Sequence, residues 1–171
     1  RPFAAILGGA KVSDKMAVLS NILDKVNVLL IGGGMANTFL AAQGYSVGNS
    51  NVEVERLAFA KDILEKSKIK GINLHLPVDV VAADRLEASA RSQSVPVGQV
   101  PSRVVIGDIG PQTIQLFSLE LRKCNTVIWN GPLGVFELQP FSAGTTAIAQ
   151  VLANLKGATT VVGGGSTAEA V

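Results

Sequence analysis

The chain has 171 residues, 47% of them hydrophobic and 16% charged, with 18 Gly, 7 Pro and a net charge of +2. At about 150 residues per domain this is one compact domain or most of a larger one, and a mean hydropathy of +0.37 excludes a disordered chain. The longest apolar runs, such as Val28-Leu29-Leu30-Ile31, are strand-sized, which excludes a membrane helix of about 20 apolar residues, and dispersed basic residues without aromatic interleaving argue against nucleic acid.

In chain order, Phe3 to Leu7 reads as a buried strand entering Gly8-Gly9. A helical period follows through Met16, Leu19 and Leu23. Val26 to Ile31 is a second strand, closed by Gly32-Gly33-Gly34 and followed by a helix through Phe39 and Leu40. Past Gly44 and Gly48, a longer helix runs from about Val52 to Lys68, then a strand from Ile72 to Leu76 stopped by Pro77, with Val78 to Ala82 extended beyond it. Glu87 to Arg103 is polar and carries Pro96, Gly98 and Pro101, so it reads as a loop. Val104-Val105-Ile106 is a short strand before Gly107-Asp108-Ile109-Gly110-Pro111. Ile114, Phe117 and Leu121 mark one face of a helix, and Thr126 to Trp129 is a strand ending in Asn130-Gly131-Pro132. A helix with Ile148, Val151, Leu152 and Leu155 on one face leads to the strand Thr159 to Val162 and Gly163-Gly164-Gly165. Strand and helix alternate throughout. The expected fold class is therefore α/β: a Rossmann-like open parallel sheet with helices on both faces, in three αβα layers.

The only cysteine, Cys124, allows no internal disulfide and fits a reducing, cytoplasmic setting; at a helix end a buried inert thiol is favoured over a nucleophile. The chain opens at Arg1-Pro2-Phe3 without a Met or a leader and stops at Val171 inside an expected helix turn. It is expected to be part of a longer protein.

Open α/β sheets bind ligands outside the carboxyl ends of their strands. Here those ends carry Gly8-Gly9, Gly32 to Gly34, Gly131 and Gly163 to Gly165. Glycine lets backbone N–H groups approach an anion at a helix N-terminus. One Gly pair reads as a tight turn; several on one edge point to a phosphate-bearing ligand such as a nucleotide. No P-loop pattern is present. Gly32-x-Gly34-x-x-Asn37 breaks the dinucleotide pattern at its third glycine, although Glu53 lies at about the right distance to bind a ribose. Lys11 and Lys15 flank Asp14 after the first strand. Two readings stand there: cations for phosphoryl transfer, which is catalysed by positioning and positive charge, or solvated lysines around a helix-capping Asp14. For His75, inside an apolar strand, a packed core position is favoured over a catalytic base.

Gly8-Gly9-Ala10-Lys11-Val12-Ser13-Asp14-Lys15, Gly32-Gly33-Gly34-Met35-Ala36, Leu76-Pro77-Val78-Asp79-Val80-Val81-Ala82-Ala83-Asp84, Asp108-Ile109-Gly110-Pro111 and Trp129-Asn130-Gly131-Pro132-Leu133-Gly134-Val135-Phe136-Glu137 resemble, in order and spacing, the phosphoglycerate kinase family. The resemblance covers residues 1–171 and implies the family's C-terminal, nucleotide-binding domain, incomplete at its C-terminal end. It implies a monomeric glycolytic kinase moving a phosphoryl group between 1,3-bisphosphoglycerate and Mg-ADP, with the 3-phosphoglycerate site on an N-terminal domain absent from this chain. Without that domain these residues are expected to be inactive. By match of motif, Lys11 would touch the transferred phosphoryl group and Lys15 the nucleotide phosphates. Gly9 and Gly32, Gly33 and Gly34 would line the pocket, and Asn130 would approach the terminal phosphate. Pro132 and Val135 would pack on the nucleoside and Glu137 would hold the ribose. Gly164 and Gly165 would cradle phosphates beside Thr167.

The chain departs from the family pattern at several positions. Ser166 stands where an aspartate meets the nucleotide's Mg²⁺, and a hydroxyl is a weaker ligand for a hard cation. Ile106-Gly107 replaces a Gly-Leu pair at the adenine pocket, Asn51 a leucine, and Asn37 an aromatic. A non-catalytic nucleotide-binding relative with a degraded metal site therefore stands as the alternative.

Overall fold

The computed structural model describes residues 2–164. From the N-terminus the elements are β1 (Phe3–Leu7), α1 (Met16–Ile22), β2 (Val28–Ile31), α2 (Met35–Ala42), α3 (Leu57–Lys70), β3 (Asn73–His75), β4 (Asp79–Ala83), β5 (Gln93–Pro96), β6 (Val105–Ile109), α4 (Pro111–Arg122), β7 (Thr126–Asn130), α5 (Ala143–Ala153) and β8 (Thr159–Gly163). Strands buried on both faces read as unbroken apolar runs, and β1 and β2 do. They lie at the middle of a parallel sheet in the order β3-β2-β1-β7-β8.

Side chains alternate between the two faces of each strand. Leu7, Leu29 and Ile31 point to one layer, where they meet Leu19 of α1, Phe39 of α2 and Ile63 of α3. Ile6, Leu30 and Trp129 point to the other, against Phe117 and Leu121 of α4 and Ile148 of α5. Each fully buried Leu, Ile or Phe contributes about 1.5–3 kcal/mol through area removed from water. The result is the expected three-layer αβα arrangement. Successive strands β1, β2 and β3 step to one side and β7 and β8 to the other, so the order reverses between β1 and β7, where ligands of such sheets bind.

A second sheet is an addition to the sequence reading. It is antiparallel, ordered β5-β4-β6, with a bulge between Val81 and Ala82, and it packs on Val80, Ala82, Val100 and Val104. Its outer strand β5 lies inside the segment expected to be a loop, because Gln93, Ser94 and Pro96 are exposed and carry no apolar alternation. Helix α3 begins at Leu57 rather than near Val52, because residues 54–56 form a 3-10 turn. It ends where Gly71, at φ +71, returns its N–H to Ser67 and Lys68.

Cys124 is buried and its Sγ–H points to the Glu120 carbonyl at 3.3 Å. Burial, then the Glu120 charge, push the thiol up, as expected for an inert group. His75 is only part-buried, with its side chain 28% exposed on edge strand β3 and Nε2 3.8 Å from Glu120 Oε2. It is not sealed in the core, and although it is the last residue of β3 it does not border the cleft described below.

Candidate functional site

The glycines after β1, β2 and β7 lace three loops together. Gly8 N–H donates to Asn130 O at 2.9 Å, Gly9 N–H to Pro132 O at 2.9 Å, and Gly33 N–H to Leu133 O at 3.1 Å. The carbonyl of Gly9 accepts from Met35 N at 3.0 Å, the start of α2. These contacts exclude side chains: a Cβ on Gly8 would lie 2.2 Å from Pro132 O, and one on Gly33 2.7 Å from Gly9 N. The indole N–H of buried Trp129 donates to Gly131 O at 2.8 Å and fixes the third loop. The N–H groups of Gly8, Gly9 and Gly33 are thus used within the protein, so these glycines offer a ligand close backbone approach rather than free donors.

The first loop carries Lys11 and Lys15. The Lys15 ammonium donates to Asn130 Oδ1, joining two residues expected at phosphates. Burial lowers its pKa, against the nearby Asp14 charge, which raises it. Lys11 is exposed. Asp14 caps nothing: α1 and the turn before it have no side-chain cap. The loop is held by Glu53, whose Oε1 accepts from Val12 N and, at 3.3 Å, from Ser13 N. Glu53 N–H in turn donates to Thr38 Oγ1 on α2 at 3.1 Å. Burial opposes the Glu53 charge, but the hydrogen bonds from Ser13 and Val12 and the nearby Lys11 hold its carboxyl below the usual range. Its carboxylate is therefore occupied, and the ribose role of a dinucleotide fingerprint falls away.

Beside this floor lies a cleft of about 360 Å³. It is bordered by Gly9, Gly33, Gly34 and Asn37 below, by Ile106, Gly107 and Asp108 of β6, and by Pro132, Val135 and Glu137. The small sheet forms its roof, tied to the 48–50 loop by Asn49 N to Val104 O at 2.8 Å and by Ile106 N to Ser50 Oγ at 2.9 Å.

Sequence reasoning missed the two buried carboxylates that assemble this wall. Asp79 accepts from Gln112 N at 3.0 Å and Thr113 N at 2.8 Å, capping α4 from a neighbouring strand. Asp108, 2% exposed, accepts from Ile109 N and from Gly144 N at the start of α5, both at 2.8 Å. Gly134 and Gly144 leave it room, since a Cβ on either would lie 2.4 Å from its Oδ1. The helix-start partners are not local in sequence: Asp79 reaches residues 112 and 113, and Asp108 reaches Gly144.

Burial outweighs those two N–H donors and pushes the Asp108 carboxyl up to about 7 from 3.8. From about pH 4 to 7 the folded state then holds a proton that the unfolded chain has lost, so this group's contribution falls as pH rises and is level above that window. Asp108→Asn removes the ionisation. The unfolding free energy of the variant relative to wild type should therefore rise between pH 4 and 7 and stay constant above, in urea titrations at each pH. A pH-independent difference would put the carboxyl in its ordinary range.

Gly9, Gly33, Gly34, Ile106, Pro132, Val135 and Glu137 all border the cleft. Gly32 lies under it, its Cα facing Leu133. Lys15 and Asn130 meet at the strand ends next to Gly163, whose Cβ position is 3.7 Å from Asn130 Nδ2; Gly164 follows at φ +84. Gly165, Ser166 and Thr167 lie outside the described residues. Among the described residues no group of three His, Cys, Asp or Glu side chains could hold a metal ion, and Asp79, Asp108 and Glu53 are spent on backbone N–H groups. These residues do not form a metal cage.

Fold and cleft together define an open α/β domain of the kind that holds ligands beyond the carboxyl ends of its strands. The family model described as phosphoglycerate kinase matches residues 1–171. The chain is 54% identical over 173 residues to the phosphoglycerate kinase of Chloroflexus aggregans and 53% identical to the cytosolic enzyme of Nicotiana tabacum. Both alignments cover all of this chain, which spans 43% of the length of each relative. The solved phosphoglycerate kinase of Coxiella burnetii superposes with a TM-score of 0.97 at 46% identity, over 99% of this chain and 44% of that one. That of Pyrococcus horikoshii gives 0.83 at 28% identity, over 99% and 43%. The chain belongs to the phosphoglycerate kinase family.

Proposed function

We propose that these residues are the nucleotide-binding, C-terminal domain of a monomeric, cytoplasmic phosphoglycerate kinase of glycolysis. The 3-phosphoglycerate end of the reaction lies on a domain outside this chain. The observation that carries the reading is the meeting of Lys15 with Asn130 at the strand ends, beside exposed Lys11 and an apolar cleft. The cytosolic tobacco relative supports the location, and no helix among the described residues is long and apolar enough to cross a membrane.

In the reaction, an oxygen of the ADP β-phosphate attacks the acyl phosphorus of 1,3-bisphosphoglycerate. The phosphorus–oxygen bond to the acyl group breaks, and that group leaves as the carboxylate of 3-phosphoglycerate. The chain's part is to hold and neutralise. Gly33 and Gly34 flank the base, Pro132 and Val135 pack on the nucleoside, and Glu137 accepts the ribose hydroxyls. Lys15, Asn130 and Gly164 meet the nucleotide phosphates. Lys11 meets the migrating phosphoryl oxygens, where a positive charge stabilises the transition state most. Mg²⁺ comes with the nucleotide.

The test is release of ADP from ATP by the intact protein on addition of 3-phosphoglycerate. ADP binding without such release would make this a binding module. Because position 166 carries Ser and the described residues supply no metal cluster, ADP affinity should change less than tenfold, about 1.4 kcal/mol, on adding Mg²⁺ in calorimetric titration. A larger dependence would mean that a carboxylate elsewhere reaches the ion.

A further inference from the structure

Asn37 sits in the first turn of α2, 4% exposed, and borders the cleft. Its backbone is satisfied, the N–H donating to Gly34 O at 3.1 Å. Its carboxamide forms no hydrogen bond with any described residue. Nor is it sealed away, as the unpartnered Ser67 hydroxyl is. Buried polar groups normally have partners, and one left open on a cleft wall is a recognition element awaiting its ligand. The surroundings say which part of a ligand reaches it. Leu40, Pro77, Val80, Leu86 and Ile106 line the same cleft, while Lys11 and Lys15 do not. Ser50, Asn51 and Glu137 add a few polar groups to these apolar walls, which suits a flat ring with a polar edge, and the anionic end of a nucleotide belongs with the lysines.

Resting on the nucleotide reading above, we infer that Asn37 determines base specificity by hydrogen-bonding the edge of a purine that carries its 6-substituent. A carboxamide presents one acceptor and two donors side by side. It can take the 6-amino group of adenine while donating to the adjacent ring nitrogen, the pairing Asn makes with adenine in other settings. Rotated, it can donate to a 6-oxo group instead. A purine without a 6-substituent leaves half of this pairing unmade, and a site built on hydrogen bonds rejects such an analogue strongly.

The test uses the intact protein, with ADP, IDP and purine riboside 5′-diphosphate, which lacks the 6-substituent, titrated calorimetrically. Wild type should bind ADP about tenfold more tightly than the unsubstituted analogue, and Asn37→Leu should bring that ratio to within twofold. Asn37→Asp, of the same size but able only to accept when ionised, should raise the preference for ADP over IDP at least fivefold. A steric role alone would not produce that shift. If the leucine variant does not fold, the aspartate variant decides. Equal binding of ADP and the analogue by wild type, an Asn37→Leu ratio unchanged from wild type, or an unchanged ADP to IDP ratio in Asn37→Asp would overturn the inference. Failure of wild type to bind any of the nucleotides would instead overturn the nucleotide reading.

Discussion

On the proposed kinase function, replacing Lys11 with alanine in the intact protein should lower turnover about a hundredfold or more while leaving the Michaelis constant for ATP within a few-fold. The expectation comes from where the two lysines stand. Lys15 is part-buried and already bonded to Asn130, so its charge is fixed in the ground state. Lys11 is exposed, on a loop whose backbone is clamped by Glu53 at Val12 and Ser13. An exposed cation carried on such a loop gains most when charge spreads over the oxygens in flight, and only interactions stronger in the transition state raise turnover. Lys15→Ala should show the opposite pattern, a raised Michaelis constant for ATP with a smaller loss of turnover. Steady-state kinetics of both variants decides. If Lys11→Ala changed nucleotide affinity alone, the two roles would be exchanged; unchanged kinetics would leave Lys11 a solvated loop residue.

The largest effect on stability is expected at Gly131. Its backbone lies at φ +101, and a Cβ there would sit 2.2 Å from the Gly8 carbonyl oxygen, which is main chain and has no rotamer to yield. A strained backbone costs about 1–3 kcal/mol and overpacking about 1–3 more. Gly131→Ala should therefore destabilise the domain by about 2–6 kcal/mol, a large part of the roughly 5–15 typical of a whole domain. Gly157→Ala is the control. That glycine has φ +74 but nothing within 4 Å of its Cβ position, so only the backbone part should appear. Urea midpoints at unchanged slope measure both. Equal losses would show that the loops separate to admit a side chain.

The parallel sheet was legible because burial on both faces leaves an unmistakable apolar run, as at Phe3 to Leu7 and Val28 to Ile31. β5 was not, because Gln93, Ser94 and Pro96 are exposed and Val95 alone packs on the small sheet's core, too little to show a period. At the cleft, the Gly clusters mark the places where loops join rather than rows of free donors. Their hydrogen atoms in place of side chains let loop meet loop, as Gly8 meets Pro132. Glu53 looked like a ribose ligand from its spacing, yet a contact between residues 12 and 53 depends on how α2 returns to the sheet. Asp108 was hidden likewise, since its partner Gly144 lies far along the chain.

A floor stitched by main-chain bonds is finished before any ligand arrives, and this shapes the thermodynamics of association. Loops that must order on binding charge their lost freedom against affinity. Here the strand-end loops are already joined through Gly9, Gly33 and Pro132, so among the groups beside the cleft the long Lys11 side chain has most left to lose. Immobilising it costs about 0.5–1.5 kcal/mol. Nucleotide uptake should then resemble docking onto a rigid surface, and its heat-capacity change should be negative and set by the apolar walls covered rather than by coupled folding.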